Sequence, residues 1–247
     1  MIPRKTKDQI DIMRNAGKIL AEIIAELEQT VCPGVKTSQV NDFAEELIRK
    51  RNVKPAFKGY NGYPATLCTS INDEIVHGIP GNRILKDGDI ISLDLGLEYE
   101  GYFVDSALTL PVGRINERIN KLIKVTKQAL ELGITQAQED NHLFDISHCI
   151  QDYVERNGFS VVRQFVGHGI GKQLHEEPPI PNYGLPHQGP LLKSGMVLAI
   201  EPMVNMGTCD SYITDNGWTA VTRDGLNSAH FGHTVAITDQ GPEVLTR

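Results

Sequence analysis

Five residues carry side chains that could hold a metal ion or move a proton in otherwise apolar surroundings: Asp94, Asp105, His168, His175 and Glu201. Both aspartates lie in "DIISLDLGLEYEGYFVDSALTL", residues 89–110, which reads as a β-hairpin with Gly101 at its turn. A loop centred on Tyr99-Glu100 sets Asp94 opposite Asp105, among Leu93, Leu95, Val104 and Ala107. Directly opposed side chains lie about 4.5–5.5 Å apart at Cβ, where like charges destabilise the pair. Two carboxylates so placed need a shared proton or a cation. A register shifted by one residue would instead send one aspartate to solvent, and the hairpin alone does not choose between the two.

The segment "FVGHGIGKQLHEEPPI" supplies His168 and His175. Glycines on both sides of His168 let the backbone approach a ligand closely. Glu201 ends the apolar run "GMVLAIEP", and an acid at the end of a buried strand needs a partner, either a cation or a basic side chain. Carboxylate oxygens with one imidazole form a hard ligand set, suited to Mn, Fe, Co or Zn rather than to a metal that prefers thiolates.

These residues need a scaffold, and its elements are legible in outline. Over residues 6–31, Ile12, Met13, Ala16, Ile19, Leu20, Ile23, Ile24 and Leu27 repeat at a helical period. Thr6 and Gln9 predict a capping box, and Pro33-Gly34 closes the segment. A second helix is expected after Thr37 on Val40, Phe43, Ala44, Leu47 and Ile48, and two more at about 116–134 and 143–157. Strands are expected at 196–206, 218–222 and 228–237, beside the hairpin. The order is helix, helix, strands, repeated once. It points to one α+β domain over 1–247, with two similar halves around an antiparallel sheet.

Hydrophobic residues at 40% and charged residues at 22% are ordinary for a globular protein of 247 residues. A net charge of -7 argues against a nucleic-acid surface, which is usually basic. No stretch nears the roughly 18 apolar residues of a membrane span, and the start is too short in apolar residues for a signal peptide. Cys32, Cys68, Cys149 and Cys209 have no paired spacing and read as reduced thiols in a cytoplasmic protein, with burial expected for Cys32 and Cys149.

Taken in order, "NDEIVHGIP" with His77, "SLDLG" with Asp94, "GYFVDSA" with Asp105, "GHGIG" with His168, "LHEEP" with His175 and "AIEPMV" with Glu201 resemble type I methionine aminopeptidases along nearly the whole chain. The resemblance implies the pita-bread fold and two divalent ions (Co, Mn, Fe or Zn) in a shared site. By position it assigns Asp94, Asp105, His168 and Glu201 to metal, with Asp105 bridging and Glu201 also the proton acceptor. It assigns His77 to the substrate near the scissile nitrogen and His175 to its carbonyl oxygen. Tyr60, Tyr63, Cys68, Leu174 and Trp218 would wall a methionine pocket, although core packing would explain most of them equally well. The implied substrates are nascent chains that begin with Met and continue with a small residue. The ribosome is a candidate partner, and a monomer with no membrane or specific nucleic-acid partner is expected.

The resemblance breaks at one position. The family closes its site with a bridging glutamate in Ser-Ala-Gln/His-Phe/Tyr-Glu-His-Thr, and here "SAHFGHT" puts Gly232 there. The expectation is one tightly held metal on Asp105, His168 and Glu201, and reduced or lost activity. His230, two residues away, could substitute in part as a ligand, but an ordinary role is simpler. A proline-directed peptidase of the same fold would usually carry an extra N-terminal domain. A non-enzymatic paralogue that binds peptides would usually have lost several site residues, not one.

Overall fold

Thr6 opens the first helix, α1 (Lys7–Glu28), with the expected capping box. Its hydroxyl accepts the Gln9 N–H at 3.4 Å, and the Gln9 side chain accepts the Thr6 N–H at 3.0 Å. Met13, Leu20, Ile23 and Leu27 line the buried stripe of α1. Helix α2 (Thr37–Lys50) follows and buries Val40, Ala44, Leu47 and Ile48. The strands β1 (Lys54–Pro55), β2 (Leu67–Ile71) and β3 (Glu74–Val76) lead into the long hairpin of β4 (Ile90–Tyr99) and β5 (Tyr102–Pro111). This structure, a computed structural model, describes residues 2–247.

The second half repeats the order. Helix α3 (Glu117–Gln136) is capped by Asn116, whose side chain accepts the Ile119 N–H at 2.9 Å. Helix α4 (Leu143–Arg156) follows and ends at Asn157-Gly158. After it come β6 (Ser160–Val161), β7 (Gly167–Gly169), β8 (Glu176–Ile180), β9 (Val197–Ile200) and β10 (Met203–Asn205). The chain finishes with β11 (Ser211–Ile213), β12 (Ala220–Thr222), β13 (Ser228–His230), β14 (Gly232–Thr238) and β15 (Gly241–Val244). The predicted strands at 196–206 and 228–237 are each broken in two, at Glu201-Pro202 and at Phe231.

A nine-stranded antiparallel sheet runs β1-β4-β5-β14-β9-β7-β8, with β2 also on β4 and β15 also on β14. The halves meet where β5 pairs with β14. One apolar cluster packs α1 and α2 on the hairpin half, and a second packs α3 and α4 on the other.

The hairpin register corrects the sequence reading. Tyr99 pairs with Tyr102, leaving Glu100 and Gly101 as a two-residue turn at φ 50 and 80. Such a turn needs positive φ at both central positions. Asp94 is therefore opposite Ala107, and Asp105 opposite Gly96. The slip is two residues, an even number, so both aspartates still share a face. The cysteine reading is corrected as well. Cys32 is exposed and Cys149 half-buried, the first in the turn after α1 and the second off the buried stripe of Ile146 and Ile150.

Gly17 of α1 lies against the C-terminal segment, where an added Cβ would stand 2.0 Å from the Leu245 carbonyl oxygen. Gly17→Ala should therefore cost at least the roughly 1–3 kcal/mol of an overpacked core. A urea melt checks this: an unchanged midpoint would mean that the helix and the C-terminus are not in this contact.

Candidate metal and peptide site

The sheet register brings the predicted ligands together in two neighbouring rows. In an antiparallel sheet directly opposed side chains share a face. One row runs Gly96, Asp105, Thr234, Ala199 and His168, across β4, β5, β14, β9 and β7. The next runs Asp94, Ala107 and Gly232, and Glu201 follows as the residue just past the end of β9. Small residues separate the functional ones, which leaves room above the sheet.

Asp105, His168 and Glu201 are 3%, 9% and 8% exposed. His168 Nε2 stands 3.3 Å from Asp105 Oδ2 and 3.4 Å from Glu201 Oε2. One donor atom from each of the three lies within 4.8 Å of the others. His168 Nδ1 is 2.9 Å from the Gly169 carbonyl, which can only accept, so Nδ1 carries a hydrogen and Nε2 faces the carboxylates. Thr234 holds Asp105 by accepting its N–H at 3.0 Å and donating its one hydroxyl hydrogen to the Asp105 carbonyl at 2.9 Å, with Oδ1 3.2 Å away as the alternative acceptor. Asn182 fixes the Glu201 backbone by donating to its carbonyl at 2.9 Å.

The electrostatics are those of a crowded anionic site. Burial, with Glu201 and Asp105 nearby, pushes the Asp94 carboxyl up to about 8 against the pull of His230. Burial would raise Glu201 too, but His230 and His168 bring it down to about 2. Burial opposes the charged form of His168, yet the Asp105 and Glu201 carboxylates carry it to about 9. Asp94 Oδ1 and His230 Nε2 are enclosed without a hydrogen-bond partner. His230 Nε2 sits 3.7 Å from Glu201 Oε1, a Coulombic contact longer than a hydrogen bond. An orphaned carboxyl oxygen of Asp94 beside close carboxylates fits a divalent cation.

Beside the rows is a cleft of about 340 Å³. Its walls include every residue predicted for the peptide site: Tyr60, Tyr63, Cys68, His77, Leu174, His175 and Trp218. Tyr63 and Trp218 meet edge to face at 5.1 Å. Tyr63 donates its hydroxyl to the Gly78 carbonyl at 2.9 Å. His77 takes a left-handed backbone at φ 60, which turns its ring against Phe165 at 5.5 Å, and burial lowers its pKa to about 4. His175 Nδ1 is 2.7 Å from the Tyr60 hydroxyl, and burial, with His168 at 4.3 Å, lowers its pKa. The loop carrying His175 is pinned by a buried ion pair between Lys5 and Glu176 at 2.6 Å. Phe165 and Met203 also wall the cleft; both stand inside segments quoted above, "FVGHGIG" and "AIEPMV", but as apolar residues beside a histidine and an acid they gave no chemical signal of their own.

At Gly232 the backbone is outside the left-handed region, so a side chain is allowed there. A Cβ would stand 3.2 Å from Glu201 Cγ and 3.5 Å from the Ala107 nitrogen, tight enough that Glu201 must yield by a few tenths of an ångström.

Residues 11–239 match metallopeptidase family M24. The chain is 53% identical over 246 residues to the methionine aminopeptidase of Clostridium perfringens, covering 100% of this chain and 99% of the relative. It is 51% identical to methionine aminopeptidase 1 of Bacillus subtilis, with both chains fully covered. The methionine aminopeptidase structure from Thermotoga maritima superposes with a TM-score of 0.98 at 46% identity, with full coverage of both. The prolidase of Pyrococcus furiosus shares the fold at a TM-score of 0.81 and 24% identity, over 99% of this chain and 65% of that one.

In the metal-free protein, His168 at about 9 and Asp94 at about 8 hold protons near neutral pH. Metal competes with those protons. Uptake of Mn(II) should therefore release protons, and affinity should rise as pH climbs toward 9. Calorimetry in buffers of different ionisation enthalpy measures the release, and a buffer-independent heat would contradict it. His168→Ala should weaken binding by more than the roughly 10–100-fold that loss of an outer hydrogen-bond partner costs.

Proposed function

The chain belongs to metallopeptidase family M24, and from that premise we propose that it is a type I methionine aminopeptidase, removing the first methionine of nascent proteins when a small residue follows. The observation that carries the reading is the gathering of Asp105, His168 and Glu201 beside a cleft walled by aromatic and sulfur-bearing side chains. Asp105, His168 and Glu201 would hold a divalent ion, which would supply the Lewis acidity that makes water nucleophilic near neutral pH. The same family likeness supports a chain that works as a single catalytic domain over 1–247, a monomer, in the cytoplasm and close to the ribosome.

The rest of the chemistry falls to the chain's own groups. Glu201, ionised well below neutral pH, accepts the proton of the attacking water. Tyr60 donating to His175 Nδ1 leaves Nε2 with a hydrogen, aimed at the substrate carbonyl oxygen as charge develops there. His77, held neutral by burial, sits by the scissile nitrogen. Tyr63, Cys68, Leu174 and Trp218 take the methionine side chain, whose thioether makes favourable contacts with aromatic faces and edges.

Gly232 sets the limit on this activity. It stands where the family places a further ligand glutamate, so a second ion would find only Asp94 and Asp105 to hold it. Three protein ligands with water suffice for a single catalytic ion, so one tight ion and weakened turnover follow. The test is methionine release from Met-Ala-Ser with Mn(II), Co(II) or Fe(II), by this protein and by Gly232→Glu. The variant should be faster by roughly 10²–10³-fold, the scale of one lost electrostatic stabiliser. Equal rates would overturn the role given to Gly232. No release by either protein would overturn the substrate assignment.

A further inference from the structure

A second set of metal-ligating side chains meets where the start of α4 faces the loop before β9. His142 is the residue preceding α4, Asp145 lies in its first turn, and His187 comes from the loop. One donor atom from each of the three lies within 4.8 Å of the others. None of the three lines the cleft described above. Asp145 Oδ1 and His187 Nδ1 are 3.4 Å apart. That is about the separation that tetrahedral bonds of about 2.0–2.1 Å impose on two ligands of one ion.

The backbone holds this geometry in advance. The Asp145 carboxylate accepts the His142 N–H at 2.8 Å on Oδ2 and the His187 N–H at 2.7 Å on Oδ1. Each oxygen has further lone-pair capacity beyond those bonds. The loop is laced to the helix start by Leu143 N–H to the Pro190 carbonyl at 2.9 Å and Phe144 N–H to the Gln188 carbonyl at 3.1 Å. His187 takes φ 61, a backbone region that L-residues rarely enter, and its side chain is 83% exposed. The rings of His142 and His187 lie 6.4 Å apart, nearly perpendicular, so a modest swing of the exposed ring closes both on one ion. The positive end of the α4 dipole opposes a cation here, and Asp145 in the first turn offsets it.

We propose that His142, Asp145 and His187 form a surface site for a borderline divalent cation such as Zn(II) or Ni(II), completed by water, which clamps the loop onto α4. Two imidazoles and one carboxylate select such ions over Mg(II) or Ca(II). The site does not depend on the aminopeptidase reading, because it shares no ligand with the cleft.

The test uses the whole chain. Zn(II) is titrated into the protein, into a His142→Ala/His187→Ala double variant, and into an Asp105→Ala/His168→Ala double variant. The parent should retain one zinc more than the first variant, and the second variant should keep that surface ion. His187→Ala alone should weaken it by at least about tenfold. Zn(II) should also slow amide exchange over residues 184–190 in the parent and not in the first variant, a readout that needs no catalysis. Equal zinc counts in parent and first variant would overturn the site, as would an extra zinc lost from the second variant but kept by the first.

Discussion

Three carboxyl groups held on one buried sheet face cannot all ionise unrelieved, and in the metal-free protein protons on Asp94 and His168 offset the crowding near neutral pH. Asp94, Asp105 and Glu201 have two imidazoles for company, His168 and His230, and one enclosed oxygen of Asp94 finds no partner. Left in water the three acids would part. Here the β4–β5–β14–β9 register fixes them, and the two apolar clusters behind the helices hold that register. A metal ion would take the place of those protons, and the fold's apolar burial holds the acids together without it. The strained His77 backbone and the buried Lys5–Glu176 pair extend the same arrangement to the peptide cleft.

Much of this was legible in the sequence because it is local. Helix α1 could be read from Thr6, Gln9 and a stripe of aliphatic residues, since capping and amphipathic spacing act over a few residues. The hairpin was equally visible, yet its register was read two residues out, because the position of a tight turn depends on which pair takes positive φ. The error was harmless for the face and wrong for the partner: Asp94 meets Ala107, and Asp105 reaches it only diagonally. No local rule could show that Thr234 braces Asp105 or that Gly232 lies next to Glu201, since β14 and β5 are joined only by folding. The cleft residues predicted by resemblance all line one cavity; Phe165, which packs against His77, stands three residues before His168 in the same motif but is apolar, and only the fold brings it to His77.

Gly232 is the point where sheet geometry and chemistry diverge. Its backbone would accept a side chain, its neighbours leave room for one with a small shift of Glu201, and its row already carries Asp94 and Glu201. Ala107 on the other side is also small, so the middle of the row is open. His230 points a ring nitrogen toward Glu201 from the adjoining strand, which steadies that carboxylate by charge without filling the gap. The ligands that remain, Asp105, His168 and Glu201, suffice to hold one divalent ion.

That claim is tested most directly by Mn(II) electron paramagnetic resonance on the metal-free protein during stepwise addition of the ion. Mn(II) is suited to the oxygen-rich cleft and binds weakly to imidazole-rich sites. The expected result is the signal of an isolated, tightly bound Mn(II) that saturates at one ion in the cleft and disappears in Asp105→Ala. Growth of an exchange-coupled pair signal as the second equivalent is added would contradict it, and would mean that the second position is filled without a carboxylate at Gly232.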